Sequence, residues 1–204
     1  MTWLACSAIG PNRERMILEV VKYGTPVLRK KGERVETITP AIKQLVADMF
    51  ETMYAHKGVG LAAQQIGQAL QLTVLDVRGV TDRPSTIAIN DREADVAAMM
   101  PIVLINPEIK PVGEEVIGPE GCLSFPEIFG EITRPENVDV RALNIDGKEI
   151  NFRAGGLLAR AIQHEFDHLQ GILFIDRMDK KTRDELRPDL DDLQIETKER
   201  LKRK

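Results

Sequence analysis

The chain has 204 residues, 43% of them hydrophobic, with 28 basic and 32 acidic side chains for a formal net charge of −4, which leaves room for one soluble domain with a single substantial core. That balance argues against a dedicated nucleic-acid binder, DNA included, because neutralising phosphates takes clustered Lys and Arg, found here only from Lys198 to Lys204. Two cysteines, Cys6 and Cys122, lie far apart in unlike surroundings, which gives no disulfide framework and suits a reducing compartment, the cytoplasm by default.

Residues 1–15 read as a disordered extension or an upstream start. Their apolar run, Trp3 to Ile9, is too short for a signal peptide or a membrane span, and no other stretch reaches about 18 apolar residues, so no membrane association is expected. A clean apolar alternation begins at Met16, and a first turn falls at Tyr23-Gly24-Thr25-Pro26. From Pro40 to His56, Ile42, Leu45, Val46, Met49, Phe50 and Met53 recur at helical spacing behind Thr39 as cap and Pro40 at the first position. The run Gly58-Val59-Gly60-Leu61-Ala62-Ala63-Gln64-Gln65-Ile66-Gly67 invites close backbone approach and resembles no phosphate loop, since no Gly-Lys-Ser/Thr follows. Strands are predicted at Gln71 to Val77, Ile102 to Pro107 and Val138 to Leu143, with a polar surface insertion, Arg78 to Met100, that is helical at Ala94 to Met99. Asp146-Gly147 supplies a hairpin turn. A helix follows from about Gly156 to Gln170, with Gly171 as its left-handed stop and Gly155 and Gly156 as a weaker start. Beyond Phe174 charges dominate, and Pro188 prevents one continuous C-terminal helix. The expected fold is α+β, short antiparallel strands surrounding a buried central helix, with a catalytic domain over residues 16–179 and a charged, solvated tail over 180–204.

Two of the three histidines flank a glutamate in Gln163-His164-Glu165-Phe166-Asp167-His168, an HExxH motif. On a helix, residues four apart lie about 40° apart around the axis and about 6 Å along it, so both imidazoles can reach one cation. With His164 at 0°, Leu157, Ala161, Glu165, Leu158, Leu169 and Ile162 fall at roughly 20° to 160°, and Arg160, Asp167, Gln163 and Gln170 at roughly −40° to −120°. Glu165 is thus on the apolar side and Asp167 on the polar side. A poorly solvated carboxylate has its pKa pushed toward neutrality, which a general base needs, so Glu165 is assigned the proton and Asp167 a supporting role.

A catalytic metal takes three protein ligands and keeps a position for water. His56 reads more simply as a C-terminal helix residue favoured by the dipole. Cys122, bracketed by Gly121 and Pro126, is better placed, although a lone cysteine is more often a small buried residue. A cysteine nucleophile would need a free imidazole as partner.

The stretches Gly58 to Gly67, Glu120-Gly121-Cys122-Leu123-Ser124-Phe125-Pro126 and Gln163-His164-Glu165-Phe166-Asp167-His168-Leu169 resemble, in order, the three motifs of the peptide deformylases. The similarity covers roughly Val20 to Arg177. It implies removal of the formyl group from the N-terminal formyl-methionine of nascent polypeptides, releasing formate. It implies Cys122, His164 and His168 as ligands of one divalent metal per chain, Fe(II) natively, with zinc, nickel or cobalt able to occupy the site. Glu165 matches the general base and acid, and Gln65 with the Leu123 N–H matches the oxyanion donors. Val59, Gly60, Leu157 and Ala161 match positions lining a methionine pocket, with Ile128 and Phe129 as neighbours, and Arg134 matches a structural arginine paired with Asp167. A substrate that is a nascent chain suggests a ribosome contact for the tail. Two departures are that Gly155-Gly156 stands where many relatives carry an acidic residue and one glycine, and that Arg160 is charged where some are apolar. A zinc endopeptidase would take a His or Glu downstream as third ligand; no histidine follows His168, and Asp176 and Asp179 are possible substitutes. A structural metal site would need neither Glu165 nor Gln65.

Overall fold

In the computed structural model residues 15–203 are described, so the expectation for the N-terminal extension lies, but for Arg15, outside the described residues. The periodic segment after Thr39 forms α1 (Pro40–Ala55), whose first turn is capped by Thr39 Oγ1 accepting from the Ile42 amide at 3.3 Å. Its apolar face buries Val46, Met49 and Met53 against Leu61 of β1 (Gly60–Ala62) and Leu72 and Val74 of β2 (Leu72–Leu75).

Beyond β2 come β3 (Ser85–Ile89), β4 (Arg92–Ala94), the single turn α2 (Val96–Met99), β5 (Ile102–Cys122), β6 (Phe125–Leu143) and β7 (Glu149–Gly155). All neighbours pair antiparallel in a seven-stranded sheet of order β1-β2-β5-β6-β7-β3-β4. The mixed helix and antiparallel sheet is as expected, but the strands are not uniformly short. The strand expected at residues 102–107 runs 21 residues, and the one expected at 138–143 starts at Phe125 and runs 19. The outer half of β5 is held by its ladder to β6 and stays largely exposed, so it carries no apolar alternation, whereas that of β6 buries Phe125, Ile128 and Ile132.

The polar insertion is part of the sheet. β3 pairs with β7 through Thr86, Ile87 and Ala88, and Ile87 is buried in the main core. That hairpin also starts the next helix, α3 (Gly156–Leu169): the Leu157 amide donates to the Pro84 carbonyl at 3.0 Å and the Leu158 amide to Ser85 Oγ at 3.1 Å. The weak local start is therefore capped from 73 residues away. Gly156 is required there, since it has φ +64° and a Cβ would stand 2.2 Å from the Pro84 carbonyl oxygen.

Eleven of the 14 residues of α3 are buried, so it has no solvent face. Leu158 and Ile162 pack with Val138, Val140 and Ala154 of β6 and β7, each large buried apolar side chain contributing about 1.5–3 kcal/mol. After Gly171 (φ +73°), Phe174 and Ile175 join Leu28, Phe125 and Ile132 in a third cluster. The charged tail, expected to be a solvated segment, is helical: α4 (Lys180–Glu185), then α5 (Arg187–Lys202) restarting at Pro188. Most of α5 is exposed, while Leu190 enters the third cluster and Thr197 is buried. Among the described residues no helix is long and apolar enough to cross a membrane.

Candidate metal centre

Two elements deliver the three donor atoms. The last residue of β5 is Cys122, and α3 carries His164 and His168 one turn apart. Their ligand atoms lie within 4.8 Å of one another, a group that could hold a metal ion, with Cys122 Sγ 3.3 Å from His168 Nε2. His164 donates from Nδ1 to Glu120 Oε2 at 2.9 Å, which orients the ring and leaves Nε2 for a ligand role. Burial opposes protonation of both imidazoles. It prevails at His168, whose pKa falls well below the ordinary value, whereas bonds to Cys122 and Glu120 outweigh it at His164 and raise the pKa. That proton is one a bound cation would displace. A thiolate with two imidazoles fits iron, zinc, cobalt or nickel, and these donors alone do not choose among them.

Glu165 faces the group from the same helix. Burial pushes its pKa up to about 7, and its Oε2 has no hydrogen-bond partner. Close packing is made possible by Gly60, where a Cβ would stand 2.4 Å from Glu165 Oε1. Gln65 comes from the helical turn Ala63–Ile66. Its Oε1 accepts from the Ala62 amide at 2.7 Å, which turns Nε2 toward Cys122 Sγ at 3.4 Å. Leu123 opens the two-residue turn between β5 and β6.

These residues surround a cleft of about 530 Å³ whose lining includes Val59, Gly60, Leu157 and Ala161. Phe129 lines it also, whereas Ile128, its neighbour on a strand, points the other way into the core around Phe125. His56 stands at the mouth, its ring on the Thr52 carbonyl, outside the donor group. Asp176 is engaged with Arg29 and the Leu173 amide, and Asp179 caps α4, so neither supplies a third ligand in the manner of a protease.

The helical wheel misleads at Asp167. Its polar side is not a solvated side: Asp167 is 3% exposed and accepts from Arg134 Nη1 at 2.8 Å and from Arg177 at 2.5 Å. Arg134 also forks onto Glu120 at 2.6 and 2.9 Å, and Arg160 reaches Glu120 at 2.9 Å and the carbonyls of Gly118, Ile132 and Val116. Burial works against charge on Glu120, yet the bonds from Arg134 and His164 outweigh it and hold the carboxyl well below the usual range. Glu120 and Arg177 had no assigned role in the sequence. Strand alternation does put Glu120 on the face of Cys122, and helical spacing puts Arg160 beside His164.

A model of the polypeptide deformylase family matches residues 17–184. The peptide deformylase of Methylacidiphilum infernorum is 45% identical over 176 residues, 86% of this chain and 92% of that protein. Among solved structures, a peptide deformylase from Legionella pneumophila superposes with TM-score 0.73 at 38% identity, covering 86% of this chain and 94% of that one. Arabidopsis thaliana peptide deformylase 1B, in complex with an inhibitor, gives 0.77 at 37% identity, covering 90% and 93%.

Proposed function

The chain belongs to the peptide deformylase family, and on that premise we propose that its cleft removes the formyl group from the N-terminal formyl-methionine of newly made polypeptides, giving formate and a free amine. The observation that carries the reading is the Cys122, His164 and His168 group with the unpartnered Oε2 of Glu165 beside it. These three residues would hold one divalent cation, which when bound supplies Lewis-acid polarisation and a more acidic water. Glu165 takes the proton of the attacking water and delivers it to the leaving amine nitrogen; a pKa of about 7 suits it to both transfers. The Gln65 Nε2 and the Leu123 N–H donate to the oxygen on which charge develops, worth about 3 kcal/mol per donor in comparable sites. Val59, Gly60, Leu157 and Ala161 receive the methionine side chain. Glu120, Arg134 and Asp167 hold His164 and α3 in place without touching substrate.

Family membership supports Fe(II) as the native metal, with zinc, nickel or cobalt as substitutes, in a cytoplasmic enzyme that meets nascent chains. An iron form should lose activity in air as Cys122 oxidises, and equal activity of aerobic and anaerobic preparations over hours would remove that assignment. The deciding experiment is anaerobic formate release from a formyl-Met tripeptide, with metal content measured on the same sample. Glu165→Gln should keep its metal and lose about 10²- to 10⁴-fold in rate. An active, metal-loaded Glu165→Gln would point to a structural site. The exposed basic end of α5 is the surface offered for a ribosome contact. Lys198→Glu with Lys202→Glu should weaken ribosome co-sedimentation and leave tripeptide turnover unchanged.

A further inference from the structure

Residues 19–22, outside any helix or strand, and the turn at Tyr23-Gly24 that follows them form a strap across both arms of the oxyanion site. The Val21 amide donates to the Gln65 carbonyl at 2.8 Å and the Tyr23 amide to the Ser124 carbonyl at 2.9 Å. Between them Lys22 Nζ donates to the Leu123 carbonyl at 2.8 Å. Leu123 and Ser124 form the turn that closes β5 onto β6, so the strap takes up both carbonyls of that turn. The strap is itself anchored. Just before it, the Leu18 amide donates to Thr52 Oγ1 on α1 at 2.8 Å; Glu19 pairs with Arg200 of α5 at 3.6 Å, and Gly24 packs against Gln194 of α5.

The Val21 and Tyr23 bonds are backbone bonds that almost any residue would make there, but the bond to Leu123 depends on the side chain of Lys22. We propose that Lys22 is a positioning residue for the oxyanion site, holding the Leu123 carbonyl so that the N–H of the same residue stays aimed into the cleft. The N–H and carbonyl of Leu123 flank one Cα, so pinning the carbonyl restricts the two dihedrals that would swing the N–H away. Lys22 is half-buried in the cleft wall beside Gln65 and Cys122. The role rests on the deformylase reading above, because it acts through a donor assigned there.

The test compares wild type, Lys22→Met and Lys22→Arg in the anaerobic tripeptide assay, measuring kcat and KM separately alongside metal content and unfolding midpoint. A misplaced rather than deleted donor should lower kcat of Lys22→Met about tenfold, short of the full loss of an oxyanion donor. KM should stay within about twofold, metal content and midpoint should match wild type, and Lys22→Arg should recover most of the rate. A Lys22→Met enzyme with wild-type kcat overturns the proposal. So does a loss confined to KM, which would mean the ammonium binds substrate directly, a loss that follows metal content, or one that Lys22→Arg does not restore. Wild-type protein that releases no formate overturns the deformylase reading itself and this role with it, a result distinct from an active wild type equalled by Lys22→Met.

Discussion

Replacing Glu120 by Gln removes one charge from the buried cluster behind His164 and leaves its shape nearly unchanged. The carboxylate accepts four hydrogen bonds: Arg134 Nε and Arg160 Nη1 on Oε1, Arg134 Nη2 and His164 Nδ1 on Oε2. At about 1.5–3 kcal/mol for a bond to a charged group, the plain sum is on the order of 6–12 kcal/mol. That sum overcounts, because Arg134 keeps Asp167 and Arg160 keeps three carbonyls. A glutamine still offers one oxygen, but its amide then faces two N–H donors at the other position. The expected loss of folding stability is about 3 kcal/mol, the lower end for breaking a buried pair. His164 also loses the acceptor that sets its tautomer, which should weaken metal binding about 10- to 100-fold, or about 1.4–2.8 kcal/mol. Urea unfolding of the metal-loaded protein reads the first effect, and chelator competition with the zinc form reads the second. Wild-type metal affinity in a Glu120→Gln protein would refute the claim that Glu120 orients His164. Unchanged unfolding would refute the charge accounting.

Gly60→Ala places a methyl against the Glu165 carboxylate and should cut kcat by about 100-fold with little change in the unfolding midpoint, since a displacement of about 1 Å has that effect on positioned groups; wild-type turnover would show that Glu165 need not sit where it does. Arg134→Ala strands Glu120 and Asp167, of which only Asp167 keeps a second arginine fork, and should cost about 3–5 kcal/mol and loosen metal, checked by unfolding and metal retention on dialysis. Ser85→Ala removes a capping acceptor from α3 and should cost about 1 kcal/mol in urea unfolding at unchanged slope; a change below about 0.3 kcal/mol would mean that the Leu158 amide finds another partner.

The chemistry at the heart of the site was legible because it is local. Two imidazoles four residues apart on a helix share a face wherever that helix is put, and Glu165 beside them falls on its apolar side by the same geometry. Helix α1 was legible for the same reason, its cap and period lying within one segment. The long outer half of β5 was not, because a mostly exposed strand held by its ladder to β6 leaves no hydrophobic alternation to read. Nor was the environment of Asp167, since a wheel describes one helix and says nothing of what covers it.

By itself, then, the sequence put His164 and His168 on one face of a helix and Glu165 on its apolar side, because spacing within a few residues and backbone geometry set which side chains share a face; Cys122 entered as third ligand only through the resemblance of its motif to the deformylases. Only the tertiary structure decided that Glu120 orients His164, that Pro84 and Ser85 start α3, and that Lys22 braces Leu123. Those contacts join segments 44, 73 and 101 residues apart, and they form because buried polar groups must find partners wherever the packed chain brings them.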